Sequence, residues 1–248
     1  HPIQSSFAAL GPVSSLLAAV ALIPYAHTLA FTVFGLAIVA QFALGMWLYG
    51  RFWQGGRKPE QITAAVYLPA VAQNFVAGAA AASFGWPQIG TLFFGAGLFS
   101  WLALESLILS RAATQEPMPE ALRPVLGIQL APAVVGGVTW TSINGGVPDL
   151  FAQILLGYGL YQAVLLLRLL PWIARQSFTP AYWAFSFGVA ALPTLAIKLV
   201  AEGLDGGFVV LAAGLFAAAN LAIGLLAVKT FELLMDGRLL PVNRPVAR

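Results

Sequence analysis

The sequence predicts an all-α integral membrane protein with eight transmembrane helices arranged as four helical hairpins. Hydrophobic residues make up 60% of the 248 residues and charged residues only 8%, whereas about a quarter of an ordinary soluble domain is charged. A membrane-spanning helix needs about 20 mostly apolar residues. Six segments carry no Asp, Glu, Lys or Arg, and each of the first two is long enough for two crossings: 1–50, 61–104, 124–148, 150–167, 176–197 and 206–228.

Prolines, glycines and charged residues divide these segments into eight predicted helices. The helices are 3–23, 28–52, 62–84, 87–111, 121–143, 149–173, 180–202 and 206–236. Short links join the members of each pair and so predict antiparallel neighbours: 24–27, 85–86, 144–148 and 203–205. Longer links join one hairpin to the next: 54–61, 112–120 and 174–179.

Basic residues concentrate in the longer links and in the C-terminal tail. They are Arg51, Arg57, Lys58, Arg111, Arg123, Arg175, Arg238, Arg244 and Arg248, while the hairpin tips hold Lys198 as their one cation. The positive-inside rule therefore places the longer links and the C-terminus in the cytoplasm, and an even number of crossings places residue 1 there too. The net charge of +3 is small and lies in loops, which indicates topology and not nucleic-acid binding.

Composition also argues against an enzyme. The chain has no cysteine and only two histidines. A thiolate metal site or a Cys nucleophile is therefore excluded, and a histidine-based metal site or catalytic triad has too few parts. We expect no metal and no cofactor.

A proline recurs in the first helix of each predicted pair. Pro12, Pro69, Pro132 and Pro193 are separated by 57, 63 and 61 residues. A proline inside a helix frees a backbone carbonyl, which lipid cannot satisfy but neighbouring helices or a water-filled cavity can. Glycines recur in the second helices: Gly35, Gly95 with Gly97, Gly157 with Gly159, and Gly214. The pattern predicts a quasi-cyclic array with the four interrupted helices inside and the others packed around them.

The seventh predicted helix carries the candidate site. No charged residue lies between Arg175 and Lys198, and Phe185-Ser186-Phe187-Gly188 sets a bulky ring beside a residue without a side chain. We hypothesise that Phe187 plugs a narrow pathway. The residues alone favour the alternative that Phe187 is an ordinary core aromatic of a helix bundle.

Several blocks, spread in one order over nearly the whole chain, resemble a known family. They are Trp53-Gln54-Gly55-Gly56, Tyr67-Leu68-Pro69-Ala70-Val71-Ala72 with Asn74-Phe75, Leu92-Phe93-Phe94-Gly95-Ala96-Gly97, Leu130-Ala131-Pro132-Ala133, Leu167-Arg168-Leu169 with Pro171-Trp172, and Trp183-Ala184-Phe185-Ser186-Phe187-Gly188. In these blocks the chain resembles the tellurite-resistance/dicarboxylate transporter family, the TehA-like bacterial relatives of the plant slow anion channel.

The resemblance implies a fold and a site. The family fold has ten helices in five hairpins around a central pore, usually as a homotrimer with a pore in each subunit. Phe187 falls on the family's pore-occluding gate, and Gly188 gives its ring room. Pro12, Pro69 and Pro132 fall on kinks of the pore-lining helices, while Pro193 is offset by about one turn from the fourth kink.

The resemblance also implies that the chain starts at the family's third helix. The sequence begins with His1 and not with methionine. We therefore expect residues 1–248 to form a single transmembrane domain that lacks the first hairpin of a longer parent protein.

Two polar residues in the predicted helices are further candidates. Glu105 is a charge within a membrane helix, which is costly and often functional. It either pairs with Arg168 or Arg111 to orient helices or acts as a proton-coupling carboxylate. Asn74 either caps a carbonyl freed near Pro69 or lines the pore.

The predicted function is passage of small anions such as chloride or nitrate through a central pore. The alternative is a proton-coupled secondary transporter of C4-dicarboxylates or tellurite-like oxyanions, and a third class is a purely structural membrane subunit. The expected location is the bacterial inner membrane, with both termini in the cytoplasm. The expected partners are the anions, the lipid bilayer and two further copies of the chain.

Overall fold

The computed structural model describes residues 2–239, and this part of the chain contains eight helices that are long and apolar enough to cross a membrane. They are α1 (Ile3–Leu22), α2 (His27–Trp53), α3 (Ala64–Ser83), α4 (Pro87–Thr114), α5 (Glu120–Ile143), α6 (Leu150–Ile173), α7 (Pro180–Ala201) and α8 (Gly207–Met235). The eight-helix prediction is confirmed, with ends that differ from the predicted ones by three residues or fewer in every helix. Arg244 and Arg248 of the basic tail lie outside the described residues.

The even-numbered helices are continuous, while each odd-numbered helix changes its geometry partway. Helix α1 consists of Pro2–Phe7 and Leu10–Leu22. Helix α3 passes from a 3₁₀ turn (Ala64–Tyr67) through a π turn (Leu68–Ala72) into the α-helix Gln73–Ser83. Helix α5 begins as the 3₁₀ segment Glu120–Leu130 and continues as the α-helix Ala131–Ile143. Helix α7 joins the 3₁₀ segment Pro180–Phe185 to the α-helix Ser186–Ala201.

The odd-numbered helices pack side by side in chain order, α1 against α3, α3 against α5 and α5 against α7. Each is also packed against the even-numbered helix of its own hairpin. Helices α3 and α5 form the core, since 89% and 72% of their most apolar windows are buried, against 28% for α4 and 11% for α8. The burial of α3 and α5 agrees with the prediction of interrupted helices inside, whereas the apolar windows of α1 and α7 are 33% buried, the same share as in the continuous helix α6.

Three of the four prolines lie at the interruptions. Pro12 follows the break at Ala8 and Ala9. Because proline has no backbone N–H, the carbonyl four residues before it, that of Ala8, loses its usual helical donor. Pro69 lies in the π turn of α3, and Pro132 is the second residue of the α-helical half of α5.

Pro193 requires a correction. It lies inside the uninterrupted α-helix Ser186–Ala201, and the change of geometry in α7 falls between Phe185 and Ser186. A proline disturbs the turn before it and not one two turns away. Pro193 therefore does not cause the interruption of α7, and a kink at Pro193 itself stays a prediction.

Candidate functional site

Phe187 is the second residue of the α-helical half of α7 and follows directly on the change of helix type. Its side chain is half-buried and packs against the core of the bundle. The interruption thus sets this ring at the point where α7 turns toward α3 and α5.

A small cavity lies in front of Phe187. Its wall consists of Phe187 together with Tyr67, Leu68, Val71, Ala72 and Phe75 of α3, and Ile128, Ala131, Pro132 and Val135 of α5. Most of these residues belong to the π turn of α3 or adjoin the junction at Leu130 and Ala131 in α5. The interruptions of three helices therefore meet at one level, and Phe187 completes the wall there.

The cavity is narrow and apolar. Its volume is about 10 Å³, roughly the least space that holds one water molecule. Apart from Tyr67, every lining side chain is a hydrocarbon, and no charged side chain lines it. A hydrated ion does not fit in this space, and an apolar constriction of this size excludes ions both sterically and by dewetting.

Gly188 lies against the junction of α5. A Cβ atom at Gly188 would lie 2.8 Å from the Cβ of Leu130 and 3.0 Å from the backbone nitrogen of Ala131. The missing side chain therefore lets α7 approach the junction of α5 closely. The expected role of Gly188, room for the Phe187 ring, stays a prediction.

Asn74 acts on the backbone of its own helix. Its Nδ2 donates to the carbonyl oxygen of Ala70 at 2.6 Å, next to Pro69. Its Cβ faces α4, where a Cβ at Gly97 would lie 3.3 Å away. Of the two predicted alternatives, the structure supports the capping of a carbonyl near Pro69, and Asn74 is not part of the cavity wall.

Glu105 of α4 receives hydrogen bonds from four helices. Its Oε2 accepts from the hydroxyl of Tyr67 in α3 and from Trp101 Nε1 at 2.9 Å. Its Oε1 accepts from Gln129 Nε2 of α5 at 2.8 Å and from the hydroxyl of Tyr158 in α6 at 3.3 Å. All of these donors are neutral.

The predicted pairing of Glu105 with an arginine is wrong. The ion pairs within residues 2–239 join Arg123 to Glu120, Lys229 to Glu232 and Arg238 to Asp236. Arg168 is exposed on α6, while Arg111 is buried without an ionic partner in this part of the chain. Hydrogen bonds from neutral groups replace the expected salt bridge because four donors converge on one carboxylate.

The Glu105 cluster adjoins the cavity. Tyr67 both lines the cavity and bonds Glu105, and Gln129, which lies next to the lining residue Ile128, bonds the Tyr67 hydroxyl at 3.2 Å as well as Glu105. The carboxylate thereby ties the two walls opposite Phe187 to α4 and α6. Sequence reasoning missed Tyr67, Gln129 and Tyr158. Of the four donors, only Trp101 could have been predicted from the sequence, because it lies four residues before Glu105 on the same face of the helix.

A further contact secures the interruption of α1. Gln73, which begins the α-helical half of α3, donates from Nε2 to the carbonyl oxygen of Ala9 at 3.3 Å. Gln73 is 1% exposed, so its side-chain amide is buried in the core. Within the described residues, no group of three or more His, Cys, Asp or Glu side chains is placed to hold a metal ion.

Comparison with known proteins gives one family and several relatives. The model of the family described as SLAC1, voltage-dependent anion channel, matches residues 1–231. The chain is 34% identical over 238 residues to a tellurite resistance protein TehA homolog of Haemophilus influenzae, an alignment that covers 96% of this chain and 71% of that protein.

Two plant proteins are more distant. The S-type anion channel SLAH2 of Arabidopsis thaliana is 26% identical over 201 residues, and the guard cell S-type anion channel SLAC1 of the same species is 23% identical over 215 residues. These alignments cover 80% and 83% of this chain but 38% of each plant channel. The chain therefore spans less than half the length of the plant relatives.

Proposed function

Because this chain belongs to the voltage-dependent anion channel family, whose members are anion channels and transporters and not enzymes, we propose that it conducts small anions through a pore gated by Phe187. The pore runs between the odd-numbered helices. The ring of Phe187 closes it at the level where α3, α5 and α7 change their geometry.

One observation carries this proposal: Phe187 completes the wall of an apolar cavity of about 10 Å³ between the two most buried helices. Phe187 lines this cavity together with residues of α3 and α5 at the interruption of each. Removal of the ring leaves a wider passage lined by backbone and small side chains such as Ala72 and Ala131.

The family supports anions as the permeating species, since its description and the names of two plant relatives are those of anion channels. The backbone N–H groups where the α-helical halves of α3, α5 and α7 begin are bonded to the preceding turns, those of Gln73, Ala131 and Ser186 to the carbonyls of Leu68, Ile128 and Trp183. No basic side chain lines the cavity, and weak binding suits release and rapid passage.

The test is the anion current of the reconstituted full-length protein with Phe187→Ala. The expected result is a rise in chloride or nitrate conductance of about tenfold, equivalent to a barrier lower by about 1.4 kcal/mol. Phe185→Ala is the matched control. Phe185 lies two residues away and packs against Gly127, outside the cavity wall, so its loss leaves the conductance unchanged.

An equal current in the wild type and Phe187→Ala, with both proteins folded and inserted, contradicts the gate. An equal rise in Phe185→Ala also contradicts it, because a general loosening of α7 then explains the current.

A proton-coupled transporter of C4-dicarboxylates or tellurite-like oxyanions is the second candidate. The name of the Haemophilus relative refers to tellurite resistance, and Glu105 is a carboxylate within a membrane helix, beside the cavity wall. This candidate predicts uptake of malate or tellurite that follows a proton gradient and disappears in Glu105→Gln. If such uptake is observed and the conductance of Phe187→Ala equals that of the wild type, the transporter is the function and the channel proposal is wrong.

The family resemblance also supports a bacterial inner membrane location, cytoplasmic termini and a homotrimer. Accessibility of single cysteines introduced at Lys58 and Gly145 tests the orientation, because these residues lie in a longer link and in a hairpin tip. The mass of the detergent-solubilised protein tests the trimer.

A further inference from the structure

A long groove runs along α7 between α6 and α8. Its wall is formed by side chains from residues 163–170 of α6, 182–193 of α7 and 215–229 of α8, with Leu130 of α5 and Ala174, Gln176 and Phe178 of the link, and its volume is about 550 Å³. In an α-helix of 3.6 residues per turn, Val189, Leu192 and Pro193 lie on the face opposite Phe187. Helix α7 therefore separates the groove from the small cavity.

The length of the groove matches one leaflet of a bilayer. Residues 215–229 of α8 rise by about 21 Å at 1.5 Å per residue, and half of a bilayer, with its headgroup region included, is about 20 to 22 Å thick. The groove occupies the halves of α6 and α7 nearest to the link 174–179. It thus extends from the membrane surface on the linker side to the middle of the membrane.

The groove is narrow for its length. A volume of about 550 Å³ over about 21 Å gives a mean cross-section of about 26 Å². An α-helix with its side chains is about 10 Å across, so neither a helix of this chain nor one from a second copy fits inside. A single extended hydrocarbon chain does.

Small residues create the groove on the side of α8. Ala218 and Ala222 lie four residues apart on the same face of α8 and line it, so the space that larger side chains would fill stays open. The adjacent Ala217 does not line the groove and is exposed on another face of the helix.

The polar groups of the groove all lie at its linker end. They are Gln176, Tyr182 and Lys229. The Tyr182 hydroxyl donates to the carbonyl oxygen of Ile173 at 3.1 Å. The Nε2 of Gln176 is buried and has no hydrogen-bond partner, and Lys229 lies 2.8 Å from Glu232 at the exposed side. A donor without an acceptor and a cation at the mouth complement a group that carries acceptor oxygens and negative charge.

We propose that this groove binds one membrane phospholipid, with an acyl chain along α7 and the phosphate-containing headgroup at the linker end. Gln176 and Lys229 are the polar side chains at the headgroup end, together with Tyr182. Apolar side chains from three helices surround the acyl chain in place of neighbouring lipids. The site does not depend on Phe187 acting as a gate or on the identity of the permeating anion.

The test uses a photoreactive phosphatidylglycerol that carries a diazirine in its acyl chain. The full-length protein is reconstituted in phosphatidylcholine vesicles that contain a small share of this probe, and the labelled residues are mapped by mass spectrometry after illumination. The expected labels concentrate on the groove segments of α6, α7 and α8. Ala222→Trp fills the groove and lowers this labelling severalfold, whereas Ala217→Trp leaves it unchanged.

The headgroup is tested separately. Lys229→Gln and Gln176→Leu are expected to lower the advantage of the phosphatidylglycerol probe over a phosphatidylcholine probe with the same acyl chain, while the labelled residues stay the same. Displacement of the probe by unlabelled phosphatidylglycerol in the wild-type protein gives a measurement that needs no variant.

Labels spread evenly over all exposed helix faces, with no change in Ala222→Trp, overturn the proposal. Disulfide-linked dimers of Ala222→Cys without lipid labelling in the groove overturn it in favour of a second copy of the chain.

Discussion

The interrupted helices and the continuous helices of this protein differ in how deeply they are buried. Helices α3 and α5 change geometry partway and are 89% and 72% buried in their most apolar windows. Helices α4 and α8 are continuous α-helices of 28 and 29 residues and are 28% and 11% buried. The two most buried helices are thus interrupted, and the least buried helix is continuous.

Hydrogen bonding explains the difference. A continuous α-helix satisfies its own backbone groups, whereas lipid offers no partner to a carbonyl that an interruption frees. Polar side chains bond carbonyls near two of the interruptions. Gln73 bonds the carbonyl of Ala9, beside the break in α1, and Asn74 bonds that of Ala70 in the π turn of α3. Contacts of this kind are available inside the protein and not in lipid.

Helices α1 and α7 depart from this pattern, since both are interrupted and only 33% of each apolar window is buried. Helix α7 is the more informative of the two. One face packs on α5 through Gly188 and presents Phe187 to the cavity, and the opposite face forms the floor of the groove. Among the interrupted helices it combines the candidate gate with a face open to the membrane.

The largest expected effect is the loss of Glu105, the carboxylate through which continuous α4 holds interrupted α3 and α5. Glu105→Leu leaves Trp101 Nε1 and Gln129 Nε2, two donors that lack this acceptor, in the protein interior. The expected cost is about 2 to 4 kcal/mol of stability, since a buried donor left without its acceptor costs about 1 to 3 kcal/mol, and it is measured as a lower midpoint of thermal unfolding in detergent.

Glu232→Leu on α8 is the control for Glu105→Leu. Its carboxylate is exposed and paired with Lys229, and surface pairs contribute about 0 to 1 kcal/mol. Equal midpoints for the two variants would show that the hydrogen bonds to Glu105 do not hold the interrupted helices in place.

A smaller effect is expected at the contact between α6 and α5. A Cβ at Gly159 would lie 2.4 Å from Cγ1 of Val134, whereas nothing lies within 4 Å of one at Gly157. Gly159→Leu is expected to cost about 1 to 3 kcal/mol by overpacking. Gly157→Leu is expected to be neutral or stabilising by up to about 1 kcal/mol, because leucine favours a helix more than glycine does. Thermal unfolding of the two variants side by side distinguishes them, and a reversed order would contradict this packing of a continuous helix on the core.

The smallest expected effect is at Asp149, which joins the start of continuous α6 to interrupted α5. Its carboxylate caps α6 by accepting from the backbone N–H of Ala152 at 2.8 Å, and it accepts from Trp140 Nε1 of α5 at 2.9 Å. Asp149→Ala is expected to cost about 1 kcal/mol, the usual contribution of an N-cap.

The contribution of Asp149 depends on pH. Burial alone would raise the pKa of Asp149, but the hydrogen bonds from Ala152, Trp140 and Asn144 outweigh it and hold the pKa below its usual value. A depressed pKa in the folded state stabilises the fold above the unfolded value of about 3.9, and the effect disappears as the pH falls through the folded pKa. The difference in unfolding midpoint between the wild type and Asp149→Ala should therefore be full near neutral pH and shrink in acid. A constant difference would mean that the cap acts without its charge.

The fold followed from the sequence more completely than the site did. Long segments without charge and short Pro/Gly links predicted eight helices in four hairpins, and the recurring prolines predicted which helices are irregular. The glycines were less informative. Gly97 and Gly159 make close contacts, whereas Gly35, Gly95, Gly157 and Gly214 have open space around them, because spacing along a helix does not reveal which face a neighbour covers.

Composition and order along the chain determined that eight segments within residues 2–239 form helices long and apolar enough to cross a membrane, since apolar length and the cost of burying charge are properties of each segment alone. They also identified Phe187 and Glu105 as candidates. Only the tertiary structure decided that Glu105 binds neutral donors in place of an arginine, that Leu130 occupies the space beside Gly188, and that α7 changes geometry before Ser186 and not at Pro193. Those outcomes depend on groups such as Tyr67 and Gln129, 62 residues apart in sequence, which come within hydrogen-bond distance only when the interrupted helices pack together.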